Sequence, residues 1–86
     1  MNTQGFETTV DYILQLPPAE IAFLQAVIEG YEGHAGISTI DPALGITRVT
    51  VAPFATDLLE KVFYELNEYH IPLEILEVIG KRREGL

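Results

Sequence analysis

No cysteine occurs among the 86 residues of the chain. Without cysteine the protein forms no disulfide, thiolate metal site or iron–sulfur cluster, and it has no thiol nucleophile. A small domain without such cross-links depends on its apolar core for stability. Hydrophobic residues make up 48% of the sequence, close to ordinary globular usage, so we expect one folded domain and no cofactor.

Basic residues are scarce as well. Five Lys and Arg stand against 13 Asp and Glu, which gives a net charge of −8. Lys81, Arg82 and Arg83 supply three of those five, so the balance up to Gly80 is two basic against twelve acidic residues, or −10. A surface of this charge repels phosphate backbones, and we therefore expect no nucleic-acid partner.

Long apolar runs are also missing. No run approaches the ~18 residues that a membrane span requires. The segment from Met1 to Glu7 lacks the basic and apolar regions of a signal peptide. We expect no membrane partner and a cytoplasmic location.

Apolar periodicity predicts six elements in the order strand, helix, strand, strand, helix, strand. The strands are expected at Thr8–Leu16, His34–Asp41, Ile46–Ala52 and Leu73–Ile79, and the helices at Pro18–Glu32 and from Thr56 or Asp57 to Tyr69 or His70. Right-handed crossovers then give a four-stranded antiparallel sheet in the order 4-1-3-2, with both helices on one face. This is an α+β, ferredoxin-like βαββαβ sandwich. We expect a flexible N-terminus at 1–7, a single domain at 8–80 and a charged C-terminal tail at 81–86.

Local signals set the expected helix starts. Pro17 and Pro18 stop the first strand and open the first helix, because proline lacks an N–H and its fixed φ suits a first helical turn. Asp57 followed by Glu60 has the spacing of a capping box at the start of the second helix.

Several activities that this topology hosts require residues that are missing. The first loop, Leu16-Pro17-Pro18-Ala19, has no glycine-rich phosphate loop or arginine, and the outward strand positions lack the aromatic residues of an RNA-binding sheet. Ser38, the only serine, lies about 13 Å along the same predicted strand from His34, so no nucleophilic triad is evident. We expect no enzymatic activity.

The segment between the first helix and second strand carries the remaining titratable candidates. Glu29, Glu32 and Asp41 could supply a pair of carboxylates, and His34 with Glu32 could bind a metal. Acidic residues at a helix end and a turn are usually solvated, however, and two ligands specify no particular ion. Tyr31 ends the apolar stripe of the first helix and is more consistent with the edge of the core.

Arg48 is isolated on the third strand. It shares the predicted outward side of the sheet with Asp11, so a cross-strand ion pair is expected; the alternative is an arginine that binds an anionic ligand or a partner's carboxylate. Ile13, Ile40 and Ile46 lie on the same side, which could let the sheet pack on a copy of itself. An edge strand, the second or the fourth, is another route to a homodimer.

The stretch from Ile28 to Ala35, Ile28-Glu29-Gly30-Tyr31-Glu32-Gly33-His34-Ala35, leads into Ser38-Thr39-Ile40-Asp41 and then Val49-Thr50-Val51-Ala52-Pro53. It resembles a family of small bacterial proteins known as a domain of unknown function, over about Tyr12 to Leu66. The resemblance implies a single ferredoxin-like or ACT-like domain and carries no assigned activity. The ACT likeness also implies small-ligand binding near the first loop, where Pro17-Pro18 here replaces the usual glycine.

Two hypotheses follow. The first is a non-enzymatic protein-interaction or regulatory module that binds another protein, or itself, through its acidic helical side or its outer sheet face. The second is an ACT-like sensor of a small metabolite. The candidate ligand or partner contacts are Glu29, Tyr31, His34, Asp41 and Arg48. A small enzyme acting through Glu29, Glu32, His34 or Asp41 ranks third.

Overall fold

The computed structural model describes residues 9–31 and 33–80. Its strands are β1 (Val10–Gln15), β2 (Ala35–Asp41), β3 (Ile46–Val51) and β4 (Glu74–Ile79), and its helices are α1 (Ile21–Glu29) and α2 (Thr56–Tyr69). The sheet order is β2-β3-β1-β4, with each neighbouring pair antiparallel. Read from the other edge this is 4-1-3-2, so the predicted α+β, ferredoxin-like sandwich is confirmed.

Strand pairing separates the sheet into two sides. Val10, Tyr12 and Leu14 of β1 lie opposite Val51, Val49 and Thr47 of β3, and all six side chains are buried on the helical side. The intervening residues point the other way, because side chains alternate along a strand. The outer sheet face, as used below, is the side that carries Asp11, Ile13, Gln15, Arg48 and Thr50.

Both helices pack on the helical side. α1 contributes Leu24 and Ile28, and α2 contributes Leu59, Phe63 and Leu66, to one cluster with the buried residues of β1 and β3. Their spacings of three and four place each set on one helix face. The described chain therefore has its core between the helices and the two central strands.

The first helix differs from its prediction. A 3-10 turn, Pro18–Glu20, precedes α1, and α1 ends at Glu29 rather than at Glu32. Glu32 lies outside the described residues. Gly30, the residue after α1, is a poor helix former, which favours the early end. Gly33 has a φ of 86°, which is left-handed backbone, and lies four residues after Glu29.

The predicted capping box at the second helix is wrong. A 3-10 turn over Pro53–Ala55 runs directly into α2, Ala55 occupies the N-cap position, and the cap has no side-chain hydrogen bond. Asp57 lies within the first turn instead, where its charge still favours the helix dipole.

The turn between β2 and β3 is held against the end of β1. Asp41 Oδ1 accepts hydrogen bonds from the N–H groups of Ala43 and Leu44, each 3.1 Å long. Gly45 has a φ of 74°, and a Cβ there would overlap the Leu16 carbonyl oxygen. Leu16 N–H donates to Gly45 O across 3.0 Å, so the turn and the first loop form one unit.

The predicted N-terminal segment at 1–7 and tail at 81–86 lie outside the described residues. Within 9–31 and 33–80, no helix is both long and apolar enough to cross a membrane.

Replacing Phe63 with alanine should lower the free energy of unfolding by about 3 kcal/mol or more. Phe63 is 2% exposed and its ring contacts Tyr12 edge-on, with 5.3 Å between centroids. Urea denaturation measures the loss. Its neighbour Tyr64 is 62% exposed, and Tyr64→Ala is the matched control, expected to cost less than ~0.5 kcal/mol. A Phe63→Ala loss below ~1 kcal/mol would contradict the described core.

Candidate functional site

Three of the five predicted contact residues lie around the connection from α1 to β2. Glu29 is exposed at the end of α1. The carbonyl oxygen of Tyr31 accepts hydrogen bonds from the N–H groups of His34 and Ala35, at 2.9 and 3.2 Å, so its backbone forms the turn. His34 is exposed, and its ring meets Phe54 edge-on with 5.1 Å between centroids.

The other two predicted residues lie elsewhere. Asp41 ends β2 at the opposite end from His34, roughly 20 Å along the strand, and its carboxylate is engaged in its own turn. Arg48 lies in the middle of β3 on the outer sheet face. The structure does not bring the five residues into one site, and a functional role for any of them stays a prediction.

Arg48 forms the expected cross-strand ion pair. Its Nε lies 3.5 Å from Asp11 Oδ2, and the two side chains are 46% and 23% exposed. On the same side of the sheet, Ile13 lies between Arg48, opposite it on β3, and Glu77, opposite it on β4. Ile13 is only 9% exposed although no described helix covers this side. The long stems of its two neighbours can account for that burial.

β4 is one of the two edge strands predicted as a route to a homodimer, and none of the five candidate contact residues lies on it. All six of its residues are exposed, on both sides of the sheet. Four of them are large and apolar, namely Ile75, Leu76, Val78 and Ile79, each 41–44% exposed. The pairing with β1 shifts between Ile13 and Leu14, which leaves Leu76 as the extra residue of a β-bulge.

A groove of about 460 Å³ separates α2 from the beginning of β4. Its apolar lining includes Phe63, Leu73 and Ile75, and Glu60 and Glu74 are the acidic residues that line it. The buried Tyr12 hydroxyl donates to Glu60 Oε2 across 2.6 Å. A hydroxyl–carboxylate bond of this length is of the strong, charge-assisted kind, so Glu60 is held in place at the groove.

The sequence did contain a signal for this surface. In Glu-Ile-Leu-Glu-Val-Ile, apolar residues occupy both odd and even positions, unlike the alternation in β1. A strand that is apolar on both sides is usually buried on both. The topology nevertheless places β4 at an edge of the described sheet, so the pattern of this strand and its position disagree.

The first loop offers few hydrogen-bond donors to a ligand. Pro17 and Pro18 have no N–H, and the N–H groups of Leu16 and Glu20 are already bonded to Gly45 O and Pro17 O. An anionic ligand of the ACT type would need such donors at this position. Across residues 9–31 and 33–80, no three His, Asp or Glu side chains are grouped so that they could hold a metal ion.

A double-mutant cycle with Asp11→Asn and Arg48→Gln should give a coupling energy below ~1 kcal/mol, because both side chains are in contact with solvent. Urea denaturation of the four proteins measures it. The coupling should fall further at ~0.5 M salt, which screens exposed charges. A coupling energy above ~2 kcal/mol that persists in salt would mean that the ion pair is strong, and it would contradict the expectation that Arg48 can exchange Asp11 for a partner's carboxylate.

Comparison with known proteins gives one match. The model of the family described as "Domain of unknown function (DUF4911)" matches residues 14–69. No curated protein and no solved structure matches the chain. The matched region begins in β1, ends at the last residue of α2, and includes the connection from α1 to β2 on which the resemblance was based. The chain belongs to the DUF4911 family.

Proposed function

We propose that this chain is a non-enzymatic protein-interaction module whose main contact surface is the outer sheet face. The observation that carries the proposal is that both helices pack on the other side of the sheet, so no described element covers this face. Antiparallel sheets often leave one side to solvent, and the composition of this side is what favours a partner.

The outer sheet face combines apolar side chains with one ion pair, Arg48–Asp11. Ile13 and Ile46 lie on it in β1 and β3, and Ile79 adds to it from β4. Arg48 is half exposed and its Nε lies 3.5 Å from a partly exposed carboxylate, so a partner's carboxylate can replace Asp11 at small cost. Apolar contacts around a single arginine are typical of the centre of a protein interface.

The acidic helical side is the alternative surface for the same function. α2 exposes Asp57, Glu65 and Glu68 with a single basic residue, Lys61. Charges of one sign steer and select a basic partner but supply little affinity by themselves. The outer sheet face therefore ranks first, and the helical side provides the control.

Two arginine substitutions distinguish the surfaces. Thr50→Arg adds bulk and one charge to the outer sheet face, and Ala26→Arg adds the same to an exposed position of α1. Quantitative affinity capture from native lysate, with mass spectrometry, should recover a partner with wild type and Ala26→Arg. Thr50→Arg should lower that recovery about tenfold, as truncation of a central contact does.

Recovery that Ala26→Arg abolishes and Thr50→Arg leaves intact would move the function to the helical side. If the three proteins have the same circular dichroism spectrum, and are therefore folded alike, but none of them recovers a partner, the result would argue against an interaction module.

An ACT-like metabolite sensor is the second candidate. The groove between α2 and β4 favours it, since about 460 Å³ is within the size range of small-ligand sites. This groove is not at the first loop, where the ACT likeness would place a ligand. Thermal stabilisation by an amino acid or nucleotide at ~1 mM would support a sensor, and a flat response across such a panel would oppose it. A cytoplasmic location stays a prediction from the sequence.

A further inference from the structure

We infer that β4 is a homodimerisation strand, which pairs antiparallel with β4 of a second copy to form one continuous eight-stranded sheet. This pairing is independent of what binds the outer sheet face.

The edge of the described sheet at β4 is open. β4 has β1 on one side and no strand of the described sheet on the other, so its outward N–H and C=O groups have no strand partner. Natural edge strands are usually protected by short length, proline, charged side chains, a bulge or a covering element. β4 has two glutamates and the bulge at Leu76, but it also has six residues, no proline and four exposed large apolar side chains. At the opposite edge, β2 exposes a single large apolar side chain, Ile40.

β4 can pair with a second β4 in a register that does not set like charges opposite each other. Antiparallel pairing that sets Glu74 opposite Ile79 also sets Ile75 opposite Val78. The bulge at Leu76 makes this register possible: Glu74 and Ile79 both lie on the outer side, opposite Gln15 and Asp11, while Ile75 and Val78 both lie on the helical side. Each glutamate then faces an apolar residue. A register that set Glu77 opposite itself would oppose like charges.

The charge of the chain also bears on the pairing. Up to Gly80 the chain has a net charge of −10, and Lys81, Arg82 and Arg83 follow in the sequence. Antiparallel pairing of β4 would bring two bodies of the same negative sign together, and these basic residues reduce the repulsion between them.

The size of the contact sets the expected strength. Pairing six-residue strands buries less than the 1,200–2,000 Å² or so of a standard interface, so the dimer should dissociate in the roughly micromolar range. Sedimentation equilibrium of the full chain, from about 1 to 500 µM, should show the mass rise from 9.6 kDa towards twice that value.

Charge substitutions at one position test the register. Ile79→Glu places like charges opposite Glu74 twice per dimer and should raise Kd about tenfold. Ile79→Lys carries the same risk to folding but creates opposite-charge pairs, so its Kd should equal or fall below that of wild type. Ile40→Glu, on the other edge strand, is the matched control and should leave Kd unchanged.

Lys81, Arg82 and Arg83 lie outside the described residues, so replacing all three with glutamine tests the effect of their charge on association without changing a residue of the sheet. It should raise Kd about fivefold and weaken the salt dependence of association. Circular dichroism and thermal unfolding confirm that each variant is folded.

A wild-type chain that stays monomeric to 500 µM would overturn the inference. So would a dimer that Ile40→Glu weakens and Ile79→Glu does not. Equal weakening by Ile79→Glu and Ile79→Lys would overturn the register. A complex in which β4 instead binds another protein, with the purified chain monomeric, would assign the edge to that protein rather than to a second copy.

Discussion

Burial of the central strands beneath both helices is the constraint on which the rest of the structure depends. Tyr12, Leu14 and Val49 are fully buried, and α1 and α2 pack their apolar faces against them. A small domain has only enough apolar area for one such core. Two helices on one side therefore leave the other side of the sheet without a layer, and they leave β4 exposed at its edge.

The two uncovered surfaces have different chemistry. The outer sheet face is mixed: Ile13 is sheltered by longer neighbours, and the Arg48–Asp11 pair is loose and solvated. β4 presents apolar side chains in both directions together with an unpaired backbone edge. The first suits a reversible partner with its own carboxylate, and the second suits strand addition. In a β4 dimer the two outer sheet faces would join, and a partner would meet a surface twice as wide.

Much of the fold could be predicted because the spacing of apolar residues in each segment was compatible with only one type of secondary structure. Alternation in β1 identified both sides of the sheet, and that assignment placed Arg48 beside Asp11 correctly. The helix boundaries were harder to predict. α1 ends early, next to Gly30, and a 3-10 turn that begins at Pro53 places Ala55 rather than Asp57 at the N-cap of α2, because local backbone geometry overrode side-chain spacing. The candidate residues could not be grouped from the sequence: they lie around the end of α1, at the two ends of β2 and in the middle of β3. The edge position of β4 followed from the predicted strand order, but the bulge at Leu76 could not be predicted, because it depends on the pairing of β4 with β1.

Hydrogen exchange of individual backbone amides, followed across the concentration range of the proposed dimer, tests the central claim most directly. Pairing protects amides of an edge strand that are otherwise open to solvent. The account predicts that protection at 74–79 rises with protein concentration, while protection at 35–41 in β2 does not. Exchange at 74–79 that is fast and the same at every concentration would contradict it.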